Sequence, residues 1–288
     1  MIRLKLNQLV LDGDRYLHNG CPFSGVSFSV GEEREARGLV LQDGVVTGAY
    51  SPVCGSGGSE YSQLDVTGLL VDEANTRHPM SFGNGIYSGI GYEFQDGHCI
   101  HEMLFDNGRV RCDSWWSKSG LLIGLNRSDH FEEHYQWSAI GQIKSATIAC
   151  PSFSIMVNFL DDGRLQSLTA EGDVISRLDE LSGCDYFPVK NFEDFGRLKG
   201  GSNVYLSRNA VSASLFDLMT ASGVFDETVS LTLNDTAVTI TAVQSIAKLK
   251  ALKRVLIQSK DTRASDLALE LGKIRSDMVV EFKQSRIY

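Results

Sequence analysis

The sequence predicts a mainly β protein: an antiparallel meander of glycine-turned hairpins over 1–195, followed by a smaller α+β domain over 196–288. Three observations predict it. Glycine is abundant, at 28 residues, and proline scarce, at 5, a balance that suits many tight turns and few rigid linkers. The glycines recur: Gly97, Gly108 and Gly120 lie 11 and 12 residues apart, Gly141 follows 21 residues later and Gly163 another 22. Eleven residues is about one strand plus one turn, so this spacing marks strand ends in a long meander or stacked repeat. Finally, an aromatic residue leads into four of these turns, and an aliphatic residue between polar ones follows three of them.

The local pieces agree. Phe94-Gln95-Asp96-Gly97, Phe105-Asp106-Asn107-Gly108 and Phe159-Leu160-Asp161-Asp162-Gly163 each run from an aromatic into a turn, and Trp137-Ser138-Ala139-Ile140-Gly141 is a looser copy. Asp-Gly and Asn-Gly supply the positive φ that two-residue hairpins need. Arg109-Val110-Arg111, Gln142-Ile143-Lys144 and Arg164-Leu165-Gln166 then place one aliphatic residue on the face shared with the aromatic. Nearer the start, Pro22 to Phe28 alternates after a turn, Asp43-Gly44 is another turn, and Cys54 to Ser59 reads as a flexible glycine-serine loop.

After about residue 180 the pattern changes. Leu215 to Met219 is a short helix candidate. Val229 to Leu233, Asn234-Asp235 and Val238 to Thr241 read as a hairpin of β-branched strands. Ile246, Leu249, Leu252, Val255 and Leu256 recur at helical spacing, with Lys248, Lys250, Lys253, Arg254 and Lys260 among and after them. Asp266 to Ile274 reads as a further helix and Val279 to Phe282 as a last strand. Gly196, Gly200 and Gly201 mark the boundary near 195.

Charge and composition bound the function. With 42% hydrophobic and 22% charged residues the chain has the make-up of a folded globular protein. A net charge of −9 argues against nucleic acid as partner and suits a basic protein surface. Met1 to Asn7 alternates like a strand and has no apolar core of an export signal, and no apolar run is long enough for a spanning helix. The six cysteines (Cys21, Cys54, Cys99, Cys112, Cys150 and Cys184) form no CxxC pair and read as reduced thiols of a cytoplasmic protein.

No catalytic set emerges. There is no G-x-S-x-G elbow, and no Gly-Lys-Ser/Thr follows Gly55-Ser56-Gly57-Gly58. His130-Phe131-Glu132-Glu133-His134 matches the inverted zinc-peptidase pattern H-x-x-E-H, which on a helix would put both histidines on one face. In the strand that its surroundings predict, His130, Glu132 and His134 share one face and Phe131, Glu133 and Tyr135 the other. In His98-Cys99-Ile100-His101, strand alternation likewise splits the soft ligands between two faces. No enzyme, cofactor or metal is therefore expected. The candidate partner-binding residues are Tyr92, Asp96, Trp115, Trp116, Asp129, Glu132 and Glu133. Adjacent strand residues face opposite ways, so one of Trp115 and Trp116 is expected in the core and the other outside as an anchor.

Residues 15 to 170 resemble the MORN-like repeats of the YwqK-type antitoxin family. The segments that carry the resemblance are Asn19 to Gly25, Glu102 to Arg111, Glu133 to Trp137 with Lys144-Ser145, and Asn158 to Ser167. The resemblance implies a cytoplasmic immunity protein that binds a cognate bacterial toxin and occludes its active site. An acidic surface fits a toxin, such as a nuclease or NAD-targeting enzyme, whose substrate is anionic. Two other readings stand beside it: a scaffold or membrane-associated repeat protein, without membrane insertion, and a zinc-dependent hydrolase built on His130, Glu133 and His134.

Overall fold

The computed structural model describes residues 1–55, 61–69, 80–83, 85–172, 174–208, 213–234 and 239–285. The Gly-Ser run after Gly55, His78, Asn84 and Asp235 to Val238 lie outside them. The chain divides into two compact units, one of Met1–Asp129 with Trp137–Gly141, the other of His130–Gln136 with Gln142–Tyr288.

The first unit holds fourteen strands among the described residues: β1 (Ile2–Lys5), β2 (Val10–Asp12), β3 (Arg15–His18), β4 (Cys21–Pro22), β5 (Gly25–Val30), β6 (Ala36–Gln42), β7 (Val45–Ala49), β8 (Gln63–Asp65), β9 (Ser81–Phe82), β10 (Gly85–Ile86), β11 (Gly89–Gln95), β12 (His98–Asp106), β13 (Arg109–Trp116) and β14 (Leu122–Ser128). The turn chemistry read from the sequence builds most of the corners. Asn19-Gly20, Asp43-Gly44, Asp96-Gly97 and Asn107-Gly108 each have two successive positive φ values, the two-residue hairpin geometry whose twist matches the strands. Gly120 and Gly163 close longer turns at φ +79°. There the strands carry bulges, between Trp115 and Trp116 and between Asn158 and Phe159, so the extra turn residue is absorbed without losing register.

Pairing in this unit runs in a ring. β1 pairs in parallel with β5, and β5 with β6. A single bridge, Glu35 to Leu64, joins the start of β6 to β8. β8 pairs with β11, β11 with β12, and β12 returns to β1 at Leu4 and His98. Val26, Phe28, Ala36, Ile90, Tyr92, Phe94 and Cys99 pack together as its core. Phe28 meets Tyr92 at 4.7 Å and Phe94 at 5.5 Å between ring centres. Smaller apolar clusters flank it, one around Leu4, Leu9, Phe23 and Leu41, another around Leu64, Val66, Met80, Tyr87, Met103 and Phe105.

The second unit holds β15 (Glu132–Trp137), β16 (Ile143–Cys150), β17 (Phe153–Phe159), β18 (Leu165–Gly172), α1 (Phe192–Phe195), β19 (Gly200–Arg208), α2 (Ala213–Ala221), β20 (Ser230–Asn234), α3 (Ile240–Ala247), β21 (Arg254–Ser259), α4 (Arg263–Ile274) and β22 (Val279–Gln284). β16, β17 and β18 continue the antiparallel meander. From β18 through β22 every pairing is parallel and the strands follow chain order. The change of pairing falls at the compositional change near 195.

The α+β tail is thus built of helices alternating with parallel strands, which corrects two local expectations. The hairpin expected over 229–241 is one strand, β20, and Thr239 caps α3 by accepting the Ala242 N–H at 3.2 Å. The β-branched run that reads as a second strand is the start of a helix because a capping hydroxyl precedes it. The helix expected through Leu256 ends at Ala247, and Val255 and Leu256 belong to β21. The lysines between them lie on the α3–β21 turn. Sequential parallel strands joined by right-handed crossovers place their helices on one face of the sheet. Leu231, Leu233, Val255 and Ile257 are buried, as are Leu215, Phe216, Val243, Ile246 and Leu271 of α2, α3 and α4. The opposite face is open, which explains why these parallel strands alternate polar and apolar residues instead of running apolar throughout.

Candidate interaction surfaces

The residues expected to bind a partner divide into buried and exposed sets. Tyr92 is at 0% exposure in the ring core, its hydroxyl donating to Gln63 Oε1 at 3.1 Å, so it cannot reach a partner. Its place in the aromatic cluster with Phe28 makes it part of the packing. Glu133 is also buried and accepts the Tyr135 hydroxyl at 2.5 Å. Glu132 beside it is exposed, as the alternation of β15 requires. The H-x-x-E-H match therefore runs into a strand, with His130 before β15 and His134 within it, and no cluster of three metal-binding side chains occurs among the described residues. Asp129 is exposed in the first unit, while Glu132 and Glu133 belong to the second. Asp96 is exposed at a hairpin tip and pairs with Lys118 at 2.8 Å; that hydrogen bond and charge hold its carboxyl below its ordinary range.

Neither tryptophan is a free anchor. Both are half-buried. Trp115 stacks on His101 at 4.8 Å with an angle of 16° between planes. Trp116 is covered by the Arg3 guanidinium, 4.2 Å from its ring centre, and its Nε1 donates to Ser114 Oγ at 3.0 Å. The bulge between the two tryptophans lets neighbouring residues both turn toward structure.

Arg3 is the hub of a polar cluster that nothing in the sequence pattern indicates. Its guanidinium donates to Glu102 Oε2 at 2.8 Å and to the Tyr50 hydroxyl at 2.6 Å, and lies 3.6 Å from Cys99 Sγ. The other Glu102 oxygen accepts the Cys54 N–H at 3.0 Å. Burial alone would lower the Arg3 guanidinium, but Cys99, Tyr50 and Glu102 outweigh it and hold it above its ordinary value. Burial raises the Tyr50 phenol, and Glu102 raises it further. Arg3 and Tyr50 are thereby held protonated, which suits a structural clamp better than proton transfer.

One face of the second unit's sheet carries mostly half-buried and exposed polar residues. On the face away from its helices, register lines up one residue from each of seven strands: Ser145, Asn158, Ser167, Tyr205, Thr232, Leu256 and Glu281. A second row runs Thr147, Met156, Thr169, Ser207, Asn234, Gln258 and Lys283, of which Ser207 is buried. Asn158 Nδ2 donates to Ser167 Oγ at 2.7 Å, and Arg254 pairs with Glu281 at 2.8 Å. Hydroxyls and amides dominate, with Met156 (37% exposed) and Tyr205 (36%) as the large side chains. Charge depleted at the centre, with Met and Tyr offered there, is the composition of a protein-binding patch. Sequence reading missed this face because its residues are scattered over 140 positions of chain and carry no motif.

No family model matches the chain, and no curated protein matches it. A structural likeness links it to the crystal structure of accessory secretory protein 1,2 and 3 in Streptococcus pneumoniae, at 10% identity and a TM-score of 0.17, over 73% of this chain and 43% of that one. The chain thus spans less than half the length of that protein, and at this score the likeness says nothing of function. What the fold defines is a mainly β protein with a large mixed sheet.

Proposed function

We propose that this chain is a non-enzymatic binding protein that holds a protein partner, and that the partner is a bacterial toxin whose active site it occludes. The observation that carries the binding reading is the open, charge-poor face of β16 to β22 around Met156 and Tyr205. A sheet face of this kind offers area for gripping and no enclosed cleft for a reaction. The net charge of −9 favours a basic partner through faster encounter. The toxin-neutralising form of the reading rests on the hairpin repeat described above.

Co-expression with the product of the adjacent gene, followed by purification through a tag on one partner, tests it. A stoichiometric complex that also silences the partner's activity is expected. Met156→Glu and Tyr205→Glu should each weaken the complex without unfolding the chain, since both side chains stand at the surface. A complex that is unaffected by either change would move the interface elsewhere, and no complex would remove the toxin reading.

A further inference from the structure

The turn between α3 and β21 and the end of α4 meet at the amino ends of the parallel strands. Arg275 fastens them: its guanidinium donates to the carbonyls of Leu249 at 2.9 Å and of Ala247 and Leu252 at 3.2 Å, while Asp277 holds its other edge at 2.7 Å. This corner gathers Lys250, Lys253, Arg254 and Lys273, all exposed, in an otherwise acidic protein. Asp277 lies 3.8 Å from Lys253 and Glu281 2.8 Å from Arg254, and Glu270 stands one helical turn before Lys273 and Ile274. Lys250 and Lys273 make no ion pair among the described residues. Lys248 sits apart, in a cleft shared with Asp217 and Asp226.

Aliphatic side chains stand among these cations. Ile274, at the end of α4, is 51% exposed, and Val279, paired in register with Arg254, is 57% exposed. Val229, whose carbonyl accepts the Lys253 and Arg254 N–H groups, is exposed too. Lys250, Lys253 and Arg254 therefore lie on a turn and at a strand start, not along the helix that the spacing of Ile246, Leu249 and Leu252 predicts. They stand at the same helix and strand ends as three exposed aliphatic residues.

We propose that this corner is a peripheral docking site for an anionic lipid surface. Lysines on flexible stems reach phosphate and carboxylate headgroups, and the aliphatic tips enter the headgroup boundary. Charge complementarity chooses the occupant: a neutral surface would leave Lys250 and Lys273 desolvated without a counter-charge. Arg254 and Val279 also lie at the end of the open sheet face, whereas Lys250 and Lys273 stand outside the strands, so the lysine pair tests this site alone.

The test is flotation of the full chain with vesicles of phosphatidylcholine alone or mixed with phosphatidylserine. Binding is expected with the serine lipid only, and it should fall steeply as salt is raised. Lys250→Glu with Lys273→Glu should lower it by about tenfold or more. Ile274→Ser with Val279→Ser should lower it at fixed charge. Both pairs lie at the surface, and unchanged far-UV circular dichroism and thermal midpoint will confirm that they fold. Equal binding to both vesicle types, indifference to the lysine pair, or capture by immobilised polyglutamate without flotation overturns the proposal.

Discussion

Arg3 and Glu102 form an ion pair at 2.8 Å across 99 positions of sequence, with only 3% and 0% of their side chains in contact with solvent. Such a pair contributes little net stability when intact, but losing one member strands a buried charge. Glu102→Leu and Arg3→Met should each cost about 3–5 kcal/mol, whereas the double change Arg3→Met with Glu102→Leu should cost clearly less than their sum. Urea unfolding of the four proteins checks this. Additive losses would mean that the pair is not coupled.

Asp65 gives a pH dependence of known sign. Burial alone would raise its carboxyl, but Lys5, 2.6 Å away, and Thr67 outweigh that and hold it below the ordinary carboxylate range. A depressed folded value stabilises the fold above the unfolded value, about 3.9, and the contribution is lost as pH falls through the folded value. Asp65→Asn should therefore lower the thermal midpoint at neutral pH, and the gap to the wild type should narrow below about pH 4. A gap constant from pH 7 to pH 3 would refute the assignment.

Two adjacent glutamates should behave oppositely. Glu132→Lys changes an exposed side chain and should move stability by no more than about 0.5 kcal/mol. Glu133→Gln weakens the bond from Tyr135, and Glu133→Lys buries a cation beside it, at a cost of about 3 kcal/mol or more. Thermal melts of the three variants separate a surface role from a structural one.

The thiols should label in two classes. Cys21 is exposed. Cys150 is half-buried; burial would raise its thiol, but the Ser152 hydroxyl 3.2 Å away and neighbouring backbone amides hold it below the ordinary value. Burial pushes Cys99 up to about 11 and raises Cys54 as well. Iodoacetamide on the folded chain should modify Cys21 and Cys150 quickly, and Cys54, Cys99, Cys112 and Cys184 only after denaturation. Mass spectrometry of the digest reads the outcome.

The antiparallel hairpins were legible because their corners are set locally. Asp96-Gly97 and Asn107-Gly108 need only two residues with positive φ, and the chain states both. The parallel half was not, because Val229 to Leu233 reads the same whether its neighbour is a hairpin mate or a strand reached through a helix. Thr239 decided between them, and a lone threonine is a weak sign of a helix start. Of the residues expected at a partner surface, Tyr92 and Glu133 are buried, since alternation predicts two faces but not which is covered. Arg3 carries no sign of burial at all; its partners Tyr50, Cys99 and Glu102 come together only through the ring.

The placement of β1 bears on how the chain acquires its shape during synthesis. Its residues leave the ribosome about a hundred residues before one of the strands they lie between, β12, is finished. Until then Arg3 has no carboxylate to neutralise it and the flank of β5 stays bare. The ring can close only late, so the first unit should depend on slow, long-range capture, and a translational pause before His98 would lengthen the interval in which that flank can pair with the wrong chain.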